Sequence, residues 1–498
     1  MMKFVDRYRE LKQLDDFFQR DKAGLLILYG RRRVGKTSLV SHWLDRLTTH
    51  HRLPLENTLF WTATTQSANY QLRDFSQALA RLDPRLTTPS IPEFTLPTWD
   101  AALTYIADLA ALRSAKSPLV IVIDEFTYLV QSDPAIVSLF QRIWDHRLSK
   151  VSNLRLILSG SLVGIMEKKV LSIQSPLYGR ATSLMRLQPL AFGTLGELFQ
   201  SWSPAERVAA YAVCGGIPSY LALFADSPNF VRGLRDHCLK PGSILLSDAA
   251  LLLNERLNEP FVYSSVLAAI ASGFHVWKAI AQIAGVPESH LGHYLQTLQA
   301  LEMVERRDPV LAQVGGRQGR YHVSDQFLRF YYRFIVPHRT AIERGEIQGA
   351  VKKISEDLRA FIGTYVFEEL CREWVYYESD RGGLGFLPEQ VGGFWTQRRG
   401  QAVQLDIVAA SRREKHLLIG EAKWGEKPVA REVLTDLVLR SQRMPQVALG
   451  WSTQYALFAR TGFTEATQEM ARELKVRLVD LEGLERALTL RSNAIESE

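Results

Sequence analysis

Cysteine is scarce: Cys214, Cys238 and Cys371 are the only three in 498 residues, far apart and without metal-ligand spacing. That excludes a disulfide framework and fits a reducing compartment. Long apolar runs are missing too. No stretch reaches the roughly 18–20 residues that span a bilayer, and the nearest candidate, around 262–285, is broken by His275, Lys278 and Gln282. The opening Met-Met-Lys-Phe-Val-Asp-Arg has charge but no apolar core, so no secretory signal is expected. Neither charge sign dominates. Sixty Lys and Arg against 53 Asp and Glu leave +7, which permits nucleic-acid binding without arguing for it. Repeats and low-complexity tracts are absent as well. The expectation is a folded cytoplasmic protein with no membrane partner.

At about 150 residues per domain, the length implies three or four units. The first 190 residues alternate apolar runs with amphipathic stretches, the pattern of a parallel sheet covered by helices. Expected buried strands are Leu25–Tyr29, Thr58–Trp61, Leu119–Ile123, Leu154–Leu158 and Leu184–Leu187. From Gly193 to about Leu257 helical periodicity takes over. Residues 260–335 read as three short helices, then a strand, a Gly-rich loop and another strand. A polar helical connection near Arg344–Asp357 leads into a final α/β segment, and Arg491–Glu498 is expected to fray.

Chemistry enters at the end of the first strand. Leu25–Tyr29 runs into GRRRVGKT, residues Gly30 to Thr37, and a helical pattern follows. This fits G-x-x-x-x-G-K-[ST], in which backbone N–H groups turn inward around phosphate oxygens at a helix N-terminus. Gly30, Arg31, Arg32, Arg33, Val34, Gly35, Lys36, Thr37 and Ser38 are therefore expected to hold ATP. Lys36 would reach the β- and γ-phosphates and Thr37 would ligate Mg²⁺. A second apolar strand, Leu119–Ile123, delivers Asp124 and Glu125 to the sheet edge where α/β proteins bind ligands. Asp124 would hold Mg²⁺ through water, and Glu125 would orient and deprotonate the attacking water. Thr58–Trp61 falls between the two motifs, which suggests the additional-strand (ASCE-type) branch of P-loop ATPases. Ser159-Gly-Ser161 ends the next strand with a polar tip suited to sensing the γ-phosphate. Arg180 would touch the γ-phosphate in cis or from a neighbouring subunit.

Phe4–Leu11, GRRRVGKT, VIVIDEF, LILSGS, SPLYGR and GGIPSY occur in that order. Together they resemble the archaeal-type ATPase family within the STAND class, relatives of AAA+ proteins, over about residues 4–335. The resemblance implies that the Phe4–Leu11 box lies beside the adenine. It also implies that Gly216-Ile217-Pro218 approaches the base from a helical lid, making Pro218 a nucleotide contact. Residues 260–325 resemble the winged helix that this class often carries, with Trp277–Ala284 as second helix and Ser289–Leu301 as third. The third helix would present His290, His293 and Gln296 to a major groove. It is not basic, and packing or autoinhibition is the other reading.

The last 140 residues hold a second constellation. Gln404–Ala410 and His416–Trp424 read as strands of a hairpin with Arg413-Glu414 at its tip. That register sets Asp406 opposite Glu421, and Lys423 projects from the same face as Glu421. Two close carboxylates can share a divalent metal, and an adjacent Lys can position or activate water. The D-x(14)-E-x-K arrangement resembles PD-(D/E)xK nucleases, a domain often fused to this ATPase family. By that resemblance Glu368 is a further metal ligand or orienter, with Glu369 beside it as the alternative. Trp424 reads as core. The basic runs 397–399 and 411–413 would meet phosphates or lie in solvated turns.

The expected fold class is α/β and multidomain. A P-loop domain (1–192) precedes a helical lid (193–257), a winged helix (258–335), a helical linker (336–354) and a restriction-endonuclease-like α/β domain (355–498). The expected function is an ATP-binding and hydrolysing ATPase whose ATP state gates a metal-dependent nuclease, using Mg²⁺ or Mn²⁺, on DNA or RNA. The alternatives are a signalling switch whose C-terminal domain binds a partner without cutting, and a DNA-binding ATPase. By resemblance, ATP-dependent homo-oligomers or a protein partner are expected.

Overall fold

Apolar runs with no alternation need a sheet buried on both faces, and the computed structural model supplies one. It describes residues 4–50, 53–86, 94–114, 116–173, 175–254, 257, 259–396 and 402–497. The first five strands are β1 (Gly24–Tyr29), β2 (Thr58–Thr62), β3 (Leu119–Asp124), β4 (Leu154–Gly160) and β5 (Ser183–Arg186). They pair in parallel in the order β2-β3-β4-β1-β5. Leu25, Ile27, Ile121 and Ile123 enter one core with Phe75, Leu103, Phe126 and Phe140. The alternate residues Leu26, Leu28, Val120 and Val122 are equally buried, so both faces are covered. All five expected strands are present. The strand that separates β1 from β3 in space is β4; β2, which lies between them in sequence, is at the sheet edge.

The chain divides into two compact units. One comprises Arg7–Pro189 with Ile217–Ser219; the other comprises Met1–Asp6, Leu190–Gly216 and Tyr220–Glu498. The second unit starts with helices. The helix Pro204–Cys214 opens on a reciprocal Ser203–Glu206 capping box and stops at Gly215, whose φ of 61° suits glycine. The helices Pro260–Ala271, Trp277–Ala284 and Glu288–Ala300 lead to an antiparallel pair, β6 (Val304–Arg307) and β7 (Arg320–Val323).

A mixed sheet follows, with β8 (Gln390–Thr396), β9 (Val403–Ser411), β10 (His416–Lys423), β11 (Ser452–Ala459) and β12 (Arg477–Asp480) in the order β12-β11-β10-β9-β8. The first three are antiparallel and the last three parallel. Leu417 faces Ala410 and Gly420 faces Ile407, which is the predicted hairpin register. Leu405, Val408, Leu417, Ile419, Leu434 and Leu457 form its core. The C-terminus corrects one expectation: Leu481–Ser497 is a helix, not a frayed end. It is held because Glu485 takes a two-pronged ion pair from Arg207 and the Leu488 carbonyl lies where any Cβ on Gly193 would stand. Among the described residues no helix is long and apolar enough to cross a membrane.

Candidate functional site

The turn after β1 is built for close approach. A Cβ on Gly30 would come within 2.5 Å of the Leu187 carbonyl oxygen, and Gly35 sits at φ 100°. Only glycine fits either position without strain. Gly35 caps the helix Lys36–Thr49, so the loop N–H groups and the helix N-terminus converge. Lys36 is buried and donates to the carbonyls of Gly30 (3.0 Å) and Arg31 (3.1 Å). Thr37 and Ser38 are exposed in the first turn. Arg7, itself buried, donates to the carbonyls of Val34 (3.2 Å) and Gln188 (2.7 Å) and so fixes the loop from behind. Ser219 donates to the Arg33 carbonyl (3.1 Å), and Pro218 Cγ lies 3.8 Å from the Cβ position of Gly35. The Ile217–Ser219 segment thus packs on the loop and belongs to its unit.

Across the sheet, Thr37 Oγ1 donates to Asp124 Oδ2 at 2.7 Å, which joins the two expected magnesium-site residues directly. Glu125 takes the left-handed conformation (φ 52°) that an L-residue adopts at a cost of roughly 1–2 kcal/mol. Two contacts hold it there: its N–H donates to Asp124 Oδ1 (3.0 Å), and Ser161 Oγ donates to its Oε1 (2.5 Å). Of the Ser159-Gly-Ser161 tip, Ser161 is the residue that meets Glu125. Ser159 is buried within β4, its hydroxyl without a hydrogen-bond partner among the described residues. Among the described residues no hydrogen bond brings Arg180 to the loop. It forks onto Asp145 (3.1 and 3.3 Å) in a half-exposed ion pair.

In the second unit, β9 and β10 carry Asp406 and Glu421 to adjacent positions. The Ala422 N–H donates to Asp406 Oδ2 (3.3 Å). Lys423 Nζ stands 2.6 Å from Glu421 Oε1, and Arg440 pairs with the other oxygen at 2.9 Å. Glu368 joins them from the helix Glu368–Asp380, paired with Arg372 (2.8 Å), which also donates to the Asp406 carbonyl (2.8 Å). Glu369 turns away to Arg307 (2.5 Å) and Arg329 (3.3 Å). Glu368, Asp406, Glu421 and Lys423 line one cavity of about 420 Å³. Burial, then the neighbouring Asp406 charge, pushes the Glu368 carboxyl up to about 8. Burial and the Glu421 charge raise Asp406 to about 6. Trp424 is buried against Phe367 (ring centroids 5.0 Å). Arg412 donates to the Leu311 carbonyl, while the 397–399 run lies outside the described residues.

Residues 4–224 match a family described as an ATPase domain predominantly from Archaea. An uncharacterized protein of Methanocaldococcus jannaschii is 32% identical over 421 residues, spanning 84% of this chain and 87% of that relative. The chain belongs to this archaeal ATPase family. It is a Walker-type P-loop ATPase. Residues 331–434 match a family of archaeal and bacterial proteins of unknown function. A 42-residue stretch, 8% of the chain, is 52% identical to an uncharacterized ATP-binding protein of the same organism, covering 71% of it. The Walker-type ATPase of Pyrococcus abyssi is a similar solved structure, 21% identical with a TM-score of 0.46, covering 66% of this chain and 96% of that one.

Three residues of the ATPase escaped sequence reasoning as individuals. Arg7 was within the recognised opening box, yet nothing local marks it as the clamp on Val34. Ser161 was half of the polar tip, and only the fold decides which serine faces Glu125. Arg440 sits on a different helix, Arg431–Ser441, and its spacing from Glu421 carries no signal.

Proposed function

We propose that the ATPase uses ATP binding and hydrolysis to control a C-terminal metal-dependent nuclease acting on DNA or RNA. The chain is read as an ASCE-type P-loop domain (1–192), lid (193–257), winged helix (258–335), linker (336–354) and restriction-endonuclease-like domain (355–498). At the nucleotide, residues 30–38 cradle the phosphates, Pro218 flanks the base and Ser159 lies at the sheet edge near the γ-phosphate. The oxygen-only pair Thr37 and Asp124 suits Mg²⁺, which prefers hard ligands and keeps several waters. Glu125, held by Ser161, takes the proton of the attacking water.

One observation carries the nuclease half: Asp406 on β9 and Glu421 and Lys423 on β10 converge on one cavity. Among the described residues no group of three or more His, Cys, Asp or Glu is arranged to hold a metal ion. Two carboxylates with water and substrate oxygens are nevertheless a usual Mg²⁺ set, so Asp406 and Glu421 fit, with Glu368 orienting from beside them. A divalent cation bound there would polarise the scissile phosphate. Lys423 would orient the water that attacks phosphorus; the P–O bond to the leaving strand breaks, the water gives up its proton to solvent and the leaving oxygen takes one from solvent.

Glu421, already tied on both oxygens to Lys423 and Arg440, also supports the second reading, a domain that holds a partner without cutting. Incubation with plasmid, single-stranded DNA and RNA, with Mg²⁺ or Mn²⁺ and with or without ATP, separates the two. Cleavage that is lost in Asp406→Ala, and freed from ATP control in Lys36→Ala, is the expected result. No cleavage of any substrate under any of these conditions sinks the nuclease reading.

A further inference from the structure

A cavity of about 600 Å³ lies between the β6–β7 hairpin and the mixed sheet, all within one compact unit. That volume falls in the roughly 300–1,000 Å³ range of small-ligand sites. The cavity shares Glu368 and Asp406 with the 420 Å³ cavity that holds Glu421 and Lys423. The hairpin is fastened there as a wall. Val310 N–H donates to the Gly393 carbonyl (2.9 Å), and Trp395 Nε1 donates to the Gln318 carbonyl (2.9 Å).

Three polar functions around this cavity are unspent, two on β7 and one on the helix Glu368–Asp380. Arg320 lies over the Trp395 ring, 4.5 Å from its centroid, and forms no ion pair among the described residues. Its neighbours differ: Arg307 is paired with Glu369, Arg306 with Asp308 and Arg372 with Glu368. Burial alone lowers the proton affinity of Arg320, with no acid to offset it. His322 Nδ1 and Arg372 Nε are buried with no hydrogen-bond partner among the described residues. Leaving such a group unmatched costs about 1–3 kcal/mol. His322 stacks on His275 (4.2 Å), and burial keeps both rings neutral, His275 being pushed down to about 4. A neutral imidazole edge, an unpaired guanidinium and an aromatic support match a nucleotide: a base or sugar edge for His322, a phosphate for Arg320 and Arg372. All but one of the carboxylates around the cavity are offset; the exception, Asp406, lines it with no ion pair among the described residues. Glu305, Asp308, Glu368 and Glu369 are paired with arginines, and burial pushes Glu373 up to about 7.

We propose that this cavity binds one unpaired nucleotide of a nucleic-acid strand, seated by Arg320, His322 and Arg372, with the adjoining phosphate leading to Asp406. The placement of that phosphate rests on the nuclease reading; the nucleotide site does not. A base still paired within a duplex cannot enter a cavity walled on two sides, so the substrate is single-stranded or has a displaced nucleotide.

The test is fluorescence anisotropy of the full chain in EDTA with labelled 20-mers of single-stranded DNA, single-stranded RNA and duplex DNA. Single strands of one or both kinds are expected to bind at least about tenfold tighter than duplex. Arg320→Gln and His322→Ala should each weaken that binding by about tenfold. Arg320→Lys, which keeps the charge, should recover part of it, and Arg317→Gln, on the exposed loop, should stay within about twofold. Melting temperature and ATP hydrolysis of each variant serve as folding controls. If Arg320→Gln or His322→Ala is folded and binds like wild type, or if duplex binds best, the site is overturned. The two readings separate cleanly. Binding that depends on Arg320 in a chain that never cuts keeps this site and removes the nuclease. Cutting that is indifferent to Arg320 and His322 keeps the nuclease and removes this site.

Discussion

The parallel sheet delivers its acids at the end of β3, the mixed sheet carries them along β9 and β10, and the two treat those acids differently. Asp124 and Glu125 are given donors: Thr37 and the Glu125 N–H for the first, Ser161 for the second. Asp406 has one backbone donor, the Ala422 N–H, and otherwise faces carboxylates: Glu421 raises its charge cost, and Asp406 in turn raises that of Glu368. A carboxylate satisfied by donors is pre-arranged for one protonation state and one geometry. Crowded carboxylates oppose ionisation together, and any added cation relieves them at once. The parallel sheet therefore carries a site whose strain is in the backbone, at Glu125, while the mixed sheet carries one whose strain is electrostatic.

The largest effect should come from breaking the pre-arranged site. Glu125→Gln keeps the shape and the Ser161 contact but removes the base, so ATP turnover should fall by about 10²- to 10⁴-fold while ATP still binds. Phosphate release and nucleotide binding, measured on the same protein, check both halves. A turnover within about threefold of wild type would remove Glu125 from the chemistry.

Much of this contrast was legible in the residues. The central parallel strands β1 and β3 are near-continuous apolar runs, and a buried strand has few alternatives once turns bound it. The Asp406–Glu421 juxtaposition follows from a hairpin tip at Arg413-Glu414, the register that pairs Leu417 with Ala410 and Gly420 with Ile407. What stayed hidden lies between elements. Whether Glu368 or Glu369 faces Asp406 depends on how one helix is rolled, and Arg307 and Arg329 settle it from other elements. The place of β4 between β1 and β3 is a choice of topology that no local propensity encodes.

A smaller and opposite effect is expected from the crowded site. Unfolded, Glu368 titrates near the ordinary glutamate value of 4.5, and in the folded chain burial pushes it up to about 8. Between those values the folded state keeps a proton that the unfolded chain has released, so stability from this group is full at low pH and is lost as pH rises through 8. Glu368→Gln removes that loss. In EDTA its melting temperature should exceed wild type at pH 8.5, by about 2–4 °C per kcal/mol relieved, and the gap should close near pH 4.5. A variant that melts lower at pH 8.5 would mean that the Arg372 pairing outweighs the crowding.

The smallest effect is expected at Arg180, and it bears on whether the parallel-sheet site is complete in itself. The Arg180–Asp145 pair is about one-third exposed on both sides, where an ion pair is worth roughly 0–1 kcal/mol. Arg180→Ala should therefore shift the melting temperature by little. Its effect on turnover is the sharper measure. As paired with Asp145, the guanidinium is spent away from the phosphate loop, and turnover should stay within about threefold of wild type. Loss of the 10³-fold or more that a phosphate-directed arginine supplies would show that Arg180 exchanges Asp145 for the γ-phosphate during the cycle. Asp145→Asn then distinguishes the two states of that residue. It should leave turnover unchanged if Arg180 is structural, and raise it if Asp145 holds the arginine back.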